Sequence, residues 1–289
     1  MPHTTVTIRK MNEEDIDSAM ELVLSEGWNQ TENDWNLFLD NSLNICLVAE
    51  IENRVVGTVT AFNYNNKIAW IGMVLVNKTH RGKGISKLML AEIFKRLNCC
   101  QSIKLDATPA GSPVYKKMGF EEEYLINRMV CGSVDKMQKK NLTDNYHIDS
   151  LEDKSISEAI EFDEIAFGSN RATLLESLIG SFPGKCFVLK QNSKLAGFAL
   201  GREGNKYHHI GPVTAVSAQQ ALDLIVNSLF YLQGKPVVID ILEEQTILIE
   251  ALLKLGFEKK RHFMRMFIPP NAFPGSIRLQ YLICGPEFG

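Results

Sequence analysis

A glycine-rich segment with two cations lies between an apolar run, IGMVLV, and a helix-like pattern in the first half of the chain. It reads Arg81-Gly82-Lys83-Gly84, and Ser86 follows two residues later. Glycines let backbone N–H groups converge on one point, and a helix N-terminus adds partial positive charge there. Arginine and lysine supply full charges for phosphate oxygens, and the serine can cap the helix or donate one more bond. The pattern therefore predicts an anion site at a strand-to-helix turn.

Two common phosphate-binding motifs do not match this segment. G-x-x-x-x-G-K-[ST] is absent, and G-x-G-x-x-G fails because Lys87 stands where the third glycine belongs. The segment instead resembles motif A of the GNAT N-acetyltransferases, Q/R-x-x-G-x-G/A behind an extended V-x-V strand. In that family the loop grips the pyrophosphate of acetyl-CoA, and the strand pairs with the pantetheine arm. Thr79 replaces the family's first Gln or Arg, and Ser86 replaces a common Gly or Ala.

The resemblance implies which residues contact acetyl-CoA, with no metal involved. The expected contacts are Met73, Val74, Leu75, Val76, Arg81, Gly82, Lys83, Gly84, Ile85, Ser86 and Lys117. The backbone amide that polarises the thioester carbonyl is expected from Val74. The alternative is that the loop is an ordinary glycine-rich surface turn.

A tyrosine completes the resemblance. The segment VYKKMGF, which contains Tyr115, is similar to the family's L-Y-x-K-x-G-F, in which the tyrosine protonates the departing thiolate. A phenol with a pKa near 10 is a reasonable acid toward a thiolate with a pKa of about 8.5. The alternative is that Tyr115 only packs against one helix face.

The general base is harder to predict. Many family members carry a glutamate on the strand before the loop, but here that strand reads WIGMV. The candidates elsewhere are Glu26, Asp34 and Asp106, and Asp106 is preferred because it ends a predicted strand close to Tyr115. Asp106 could equally be a structural carboxylate that accepts hydrogen bonds from loop amides. No pattern for a covalent intermediate stands out, so direct transfer in a ternary complex is expected.

A weak internal repeat predicts two modules. VAEIENRVVG and VLKQNSKLAG each predict two strands joined by a polar turn, and later elements follow in the same order. The matching residues, in chain order, are Gly57 and Gly197, Gly72 and Gly211, Asp106 and Asp240, Gly119 and Gly256, and Arg128 and Arg265. Two unrelated α/β domains with similar turns are the alternative.

The second copy lacks the parts that would bind and react. It has TAVSA in place of the glycine-rich loop, although Ser217 can cap the helix that follows. Leu252 stands at the position equivalent to Tyr115. We expect one strong acyl-CoA site near Val74–Ser86 and at most one weak site near Val213–Ala218. Four more residues of this copy either form a substrate pocket or lie on the solvated surface: Arg171, Arg202, His208 and His209.

The chain is most similar to a tandem-GNAT subgroup. That subgroup has a Gly-Trp-Asn motif, here Gly27-Trp28-Asn29, and a final phrase like GPEFG at 285–289. The resemblance implies an α+β fold of two modules, each a mixed, mostly antiparallel sheet flanked by helices. Residues 1–132 are expected to form the intact module and residues 145–289 the degenerate one, joined by the linker GSVDKMQKKNLTD.

The composition limits which classes of binding partner are expected. With 31 basic and 34 acidic residues the formal net charge is −3, which does not favour nucleic acid. The six cysteines form no metal-binding pair pattern, and no apolar run approaches the ~20 residues that span a bilayer. A cytoplasmic N-acetyltransferase acting on an amine of a small molecule or protein is expected, although a chain exported by a C-terminal signal would look the same. The alternative is a CoA-sensing or protein-binding scaffold without turnover.

Overall fold

The structure is a computed structural model that describes residues 5–136, 138 and 146–289. The α-helices of those residues are α1 Ile16–Ser25, α2 Glu32–Leu39, α3 Ile85–Arg96, α4 Ser112–Lys116, α5 Asp153–Phe167, α6 Ala172–Ser181, α7 Ala218–Phe230 and α8 Thr246–Lys254. The strands are β1 Thr7–Lys10, β2 Ile45–Ile51, β3 Arg54–Tyr64, β4 Ile68–Val76, β5 Ser102–Ala107, β6 Glu121–Cys131, β7 Tyr146–Ser150, β8 Phe187–Gln191, β9 Lys194–Arg202, β10 His208–Ala215, β11 Val237–Leu242, β12 Glu258–Phe267 and β13 Gln280–Leu282. Of the expected linker, residues 137 and 139–144 lie outside the described part of the chain.

The described strands form one sheet in the order β1-β2-β3-β4-β5-β12-β6-β11-β13-β10-β9-β8-β7. Parallel pairing between these strands joins β4 to β5 and β10 to β11, and the other pairs are antiparallel. Helices cover both faces of the sheet. The predicted α+β class with a mixed, mostly antiparallel sheet is therefore confirmed.

Each repeat extends its last long strand into the other repeat's part of the sheet. β12 lies between β5 and β6, and β6 lies between β12 and β11. The proposed modules, residues 1–132 and 145–289, are thus consecutive along the chain but interlocked in the sheet.

The polar turns that the repeat predicts close equivalent hairpins. Glu52 and Asn53 join β2 to β3, and Asn192 and Ser193 join β8 to β9. All four residues have positive φ, between 48° and 62°. Two successive left-handed residues match a type I′ turn, whose twist suits the flanking strands. A similar pair with positive φ, Asn65 and Asn66, joins β3 to β4, the strand on which the candidate site begins.

Three large cores hold the fold together. One packs α3 on β2, β3, β4 and β5, and a second packs α7 and α8 on the second half of the sheet. The third is shared, because α1 and α2 of the first repeat meet α5 and α6 of the second around the C-terminal Phe288. The Phe288 ring stacks on Phe38 with ring centroids 5.0 Å apart. The two repeats therefore bury apolar surface jointly.

Candidate active site

The site begins where β4 separates from β5. Parallel pairing runs from Ile68 with Ser102 to Ile71 with Leu105 and then stops. Beyond this point β4 carries a bulge, since Thr58 faces Leu75 while Thr60 faces Gly72. Where two parallel strands separate, the backbone N–H and C=O groups that face the gap have no partner in the sheet. A bulge at the same place changes the direction of the strand.

Met73 forms the bulge. Its φ is +51°, and Thr58 Oγ1 donates a hydrogen bond of 2.8 Å to the Met73 carbonyl oxygen. That bond fixes the strand in a conformation that non-glycine residues seldom adopt. A cavity of about 690 Å³ opens beside it.

The cavity wall contains most of the predicted contact residues. Its lining includes Met73, Val74, Leu75, Val76, Arg81, Gly82, Gly84, Ile85, Ser86 and Tyr115. Lys83 and Lys117 are exposed and lie outside this lining. The loop cation that faces the cavity is therefore Arg81.

The glycine loop leaves room for an anion. Gly82 and Gly84 both have φ of +77°, and a Cβ added to either would meet no atom within 4 Å. α3 begins at Ile85 with Gly84 as its N-cap residue, and no side chain caps it, so Ser86 lies within the first turn. The N–H groups of that turn have no acceptor within the helix. Together they form an open cradle of donors at the positive end of a 12-residue helix.

Arg81 is held in place by two contacts. Its Nε donates to the Val76 carbonyl oxygen at 3.1 Å, and its guanidinium forms an ion pair with Glu26. Lys78 also lies 3.7 Å from the same carboxylate. The structure thus ties Glu26, a predicted candidate base, to the cations of the loop.

Tyr115 also lines the cavity. It is 9% exposed, it packs edge-on against Phe120, and its hydroxyl makes no hydrogen bond to any other described residue. Burial raises the pKa of Tyr115 to about 12. The phenol is therefore protonated near neutral pH, as a proton donor must be.

Asp106 is held in a buried ion pair. Its side chain is fully buried, and both carboxylate oxygens accept from Arg265, at 2.9 and 3.0 Å. Asp240, its counterpart in the second repeat, accepts from Arg128 in the same way. Each aspartate thus pairs with the arginine of the other repeat, an arrangement typical of a structural carboxylate.

The second half of the chain supplies part of the cavity wall, which sequence reasoning missed. Arg261, Phe263, Pro286 and Glu287 of the second repeat line the cavity, together with Trp28, Gln30 and Arg128 of the first. Trp28 belongs to the Gly-Trp-Asn motif and Glu287 to the final GPEFG phrase, so the sequence did mark both segments. Neither motif reveals that the two segments meet in one cavity, because that depends on the tertiary fold.

The C-terminal segment is anchored against β4. The Trp70 indole donates to the Pro286 carbonyl oxygen at 3.0 Å, and the Tyr64 hydroxyl donates to that of Phe288 at 2.7 Å. A Cβ on Gly72 would come within 3.0 Å of the Glu287 Cα atom. Glycine at position 72 thus lets the segment lie directly on the strand.

Two carboxylates share one arginine beside the cavity. Arg202 donates to Asp34 at 2.7 Å and also to Glu287, and all three side chains are buried. Burial, with the charge of Glu287 adding to it, raises the pKa of Asp34 despite the nearby arginine. Oε2 of Glu287 has no hydrogen-bond partner among the described residues.

The equivalent cleft of the second repeat is filled by the chain itself. β10 and β11 pair in parallel from His208 with Val237 to Ile210 with Ile239, and then diverge. β13 enters between them, pairing antiparallel with both. Gly211, with φ of +153°, lies against the Ile283 carbonyl oxygen.

Of the other expectations for the second repeat, one is confirmed and one is wrong. The predicted cap is confirmed, since Ser217 Oγ accepts from the Gln220 N–H at the start of α7. The solvated-surface alternative is wrong for Arg171, Arg202 and His209, which are buried. Arg171 binds Asp163 at 2.7 Å, and His209 Nε2 lies 3.3 Å from Asp240.

Comparison with known proteins identifies the family. Two family models, each described as an acetyltransferase (GNAT) domain, match residues 42–122 and 159–282. The chain therefore belongs to the GNAT acetyltransferase family, with two domains in tandem, and is an acyltransferase.

Its relatives are similar over nearly their whole lengths. YitH of Bacillus subtilis (strain 168), an uncharacterised N-acetyltransferase, is 26% identical over 252 residues, which are 86% of this chain and 87% of that protein. Holothin acyltransferase of Pseudoalteromonas sp. (strain SANK 73390) is 26% identical over 266 residues, 92% and 88% of the two chains. An acetyltransferase structure from Pyrococcus horikoshii superposes with a TM-score of 0.81 over 100% of this chain and 98% of that one, at 22% identity, and shows the same fold.

No helix within the described residues has the length and apolar composition that a membrane span requires. Within the same residues, no group of three or more histidine, cysteine, aspartate or glutamate side chains could hold a metal ion.

Proposed function

We propose that this protein transfers an acetyl group from acetyl-CoA directly to an amine, in one active site per chain. The observation that carries the proposal is that one cavity joins the glycine cradle, the bulged strand β4 and the hydroxyl-bearing side chain of Tyr115. GNAT domains generally use acetyl-CoA, and the cavity has the parts that such a donor needs.

The fit to acetyl-CoA follows the cavity wall. Its pyrophosphate would accept hydrogen bonds from N–H groups around Gly82 and Gly84, with Arg81 adding charge. The open space at both glycines is where phosphate oxygens would lie. The pantetheine arm would pair with β4 between Met73 and Val76, which β5 leaves unpaired. This arrangement supports Val74 as the amide that polarises the thioester carbonyl.

The proposed reaction needs one bond made and one broken. The amine lone pair forms the C–N bond, the C–S bond breaks, and the thiolate takes a proton from the Tyr115 hydroxyl. The amine loses one proton, so the products are an amide and free CoA. Holding the amine and thioester together supplies much of the rate enhancement.

The ion pairs argue against two of the candidate general bases. The pairing of Asp106 with Arg265 and of Glu26 with Arg81 favours structural or loop-organising roles for both carboxylates. We therefore propose that neither Asp106 nor Glu26 removes the amine proton.

The rival function is a scaffold that binds acetyl-CoA without turnover. Calorimetry with acetyl-CoA and a thiol-release assay over a panel of amines, aminoglycosides, peptides and polyamines separate the two functions. Binding with release of CoA thiol for at least one acceptor supports the enzyme. Tight binding without release for any acceptor supports the scaffold, and the absence of binding contradicts both.

A further inference from the structure

The cavity reaches through the sheet to the face opposite α3. Side chains alternate along a strand, and Ile71 and Leu105 pack in the α3 core. Their neighbours Gly72 and Asp106 therefore point to the other face, where Arg265 and the C-terminal segment lie. An acceptor that enters from this face meets the thioester from the side away from the phosphate cradle.

Arg261 is a cation of this face that forms no ion pair with a described carboxylate, although the charges of Asp240 and Glu287 still act on it. It lines the cavity and is half-buried, and within the described residues it forms neither an ion pair nor a hydrogen bond. Its guanidinium lies 5.0 Å from the centre of the Phe263 ring. Burial and the neighbouring charge of Arg128 lower the pKa of Arg261 to about 10, so the group is still a cation near neutral pH.

The four buried arginines of the described residues differ from the half-buried Arg261. Each of the four pairs with at least one carboxylate: Arg128 with Asp240, Arg171 with Asp163, Arg202 with Asp34 and Glu287, and Arg265 with Asp106. A charge that is partly withdrawn from water without a partner is costly, and a ligand that supplies the opposite charge would offset that cost. The arginine fork matches a carboxylate with two parallel hydrogen bonds.

Two acceptor atoms of the same wall also have no partner. Gln30 Oε1 and Glu287 Oε2 are buried without a hydrogen-bond donor among the described residues. Both residues line the cavity. An amine supplies N–H donors, so these oxygens suit the amino end of an acceptor, while Arg261 suits an anionic end.

We propose that the acceptor is a small amine that also carries a carboxylate, with its amino group near Gln30 and Glu287 and its carboxylate on Arg261. This inference rests on the proposed acetyl transfer and adds its substrate class. Phe263 and Trp28 add apolar surface to the same cavity wall.

Matched pairs of amines test the proposal. Lysine and lysinamide, 2,4-diaminobutyrate and its amide, and phenylalanine and phenylalaninamide differ in each case by the carboxylate. We expect kcat/KM to be at least tenfold higher for the carboxylate member of the best pair. Equal values, or a preference for the amides, would overturn the substrate class while leaving acetyl transfer established.

An Arg261→Gln variant locates the effect. We expect it to raise KM for the carboxylate member at least tenfold, to leave kcat within about twofold, and not to raise KM for the amide. Lys260→Gln is the matched control, because Lys260 is exposed and pairs on the surface with Glu258. A loss shared by both members of a pair, or no loss in either, would contradict a carboxylate contact at Arg261.

Calorimetry with the same ligands gives a readout that does not need turnover. The carboxylate member should bind the wild-type protein more tightly than its amide, and Arg261→Gln should remove that difference. If acetyl-CoA neither binds nor turns over, the proposed function fails. If it does, but neither kinetics nor calorimetry distinguishes the pairs, only the present inference fails.

The same Glu287 oxygen is also placed to act as the missing base. β4 carries no carboxylate near the thioester position, but Glu287 lies against Gly72 of that strand, and Arg202 binds only its Oε1, so that Oε2 has no partner among the described residues. We infer that Glu287 Oε2 takes the proton that the attacking amine loses. The proton then returns to solvent, and the Tyr115 phenolate regains one from solvent, so that both groups are restored.

Glu287→Gln and Asp34→Asn form a matched pair, because both carboxylates bind Arg202 but Asp34 does not line the cavity. We expect Glu287→Gln to lower kcat by roughly a hundredfold, the scale of general-base catalysis, with acetyl-CoA affinity unchanged. Its rate should recover as rising pH deprotonates the amine in solution. Asp34→Asn should keep kcat within about threefold and lower the thermal midpoint. Equal loss of kcat in both variants, or normal kcat in Glu287→Gln, would remove Glu287 from the mechanism.

Discussion

Arg265 of β12 and Asp106 of β5 are joined by two hydrogen bonds, of 2.9 and 3.0 Å, although 159 positions separate them in the chain. Arg128 and Asp240 form the reciprocal pair, at 2.8 and 2.7 Å. Both pairs link a strand of one repeat to a strand of the other. The two repeats are therefore joined by buried ion pairs as well as by β6 and β12, each of which lies in the other repeat's part of the sheet.

We predict that Arg265→Gln destabilises the whole chain. Removing one partner of a buried ion pair leaves an uncompensated charge and costs about 3–5 kcal/mol. Urea unfolding followed by circular dichroism should show one cooperative transition at a lower midpoint. The double variant Asp106→Asn/Arg265→Gln should lose less than the sum of the two single variants. Two separate transitions in the wild-type protein would show instead that the repeats unfold independently.

The phosphate cradle gives the second prediction. Gly84→Asp adds a side chain at φ of +77° and a negative charge where the pyrophosphate should lie. We expect the Kd for acetyl-CoA to rise at least tenfold, or about 1.4 kcal/mol. Gly234→Asp is the control, since Gly234 has φ of +73° and equally open surroundings in the other repeat. Similar calorimetric results for both variants would point to general strain rather than to lost phosphate contacts.

Local features of the site could be predicted from the sequence. The cradle and Tyr115 depend on short runs of residues whose glycines, cations and flanking elements act together, and the two hairpin turns likewise follow from adjacent residues. The α+β class followed from the family resemblance that these same segments carry, and the repeat predicted two copies of it.

Non-local features could not be predicted. β6 and β12 each carry an arginine that could pair with either aspartate. The choice depends on the strand order, in which β12 lies beside β5 and β6 lies beside β11. For the same reason Asp106 looked like a candidate base, since its partner Arg265 lies in the other repeat. The position of Glu287 beside Gly72 depends on the path of the whole C-terminal segment.

Tyr115→Phe gives the third prediction. The variant keeps the ring that packs on Phe120 but removes the proton donor. We expect acetyl-CoA affinity to stay within about twofold while kcat falls by roughly a hundredfold, as for loss of a general acid. Tyr231→Phe, at a tyrosine that is 53% exposed, should leave both values unchanged. Normal kcat in Tyr115→Phe would leave water as the acid.

The pH dependence of kcat gives the fourth prediction. Burial raises the pKa of Tyr115 to about 12, so the phenol loses its proton only as the pH approaches that value. A tyrosine with an ordinary pKa would already deprotonate near pH 10. At saturating substrates we therefore expect kcat to show no decline between about pH 8 and pH 10.5. A falling limb near pH 10 that disappears in Tyr115→Phe would show that the pKa is not raised.

The last prediction is one acetyl-CoA site per chain. In the first repeat the space between β4 and β5 is open beyond Ile71, whereas β13 occupies the equivalent space between β10 and β11. The hydrogen bonds of β13 occupy the strand edge with which a pantetheine arm would pair. The N-terminus of α7, where a phosphate would have to bind, is already capped by Ser217. We expect calorimetry of the full chain to give a stoichiometry near one. We also expect Gly84→Asp to weaken that single site without revealing a second. Two sites of similar affinity in the wild-type protein, or a strong site that survives in Gly84→Asp, would show that the second repeat binds acetyl-CoA despite β13.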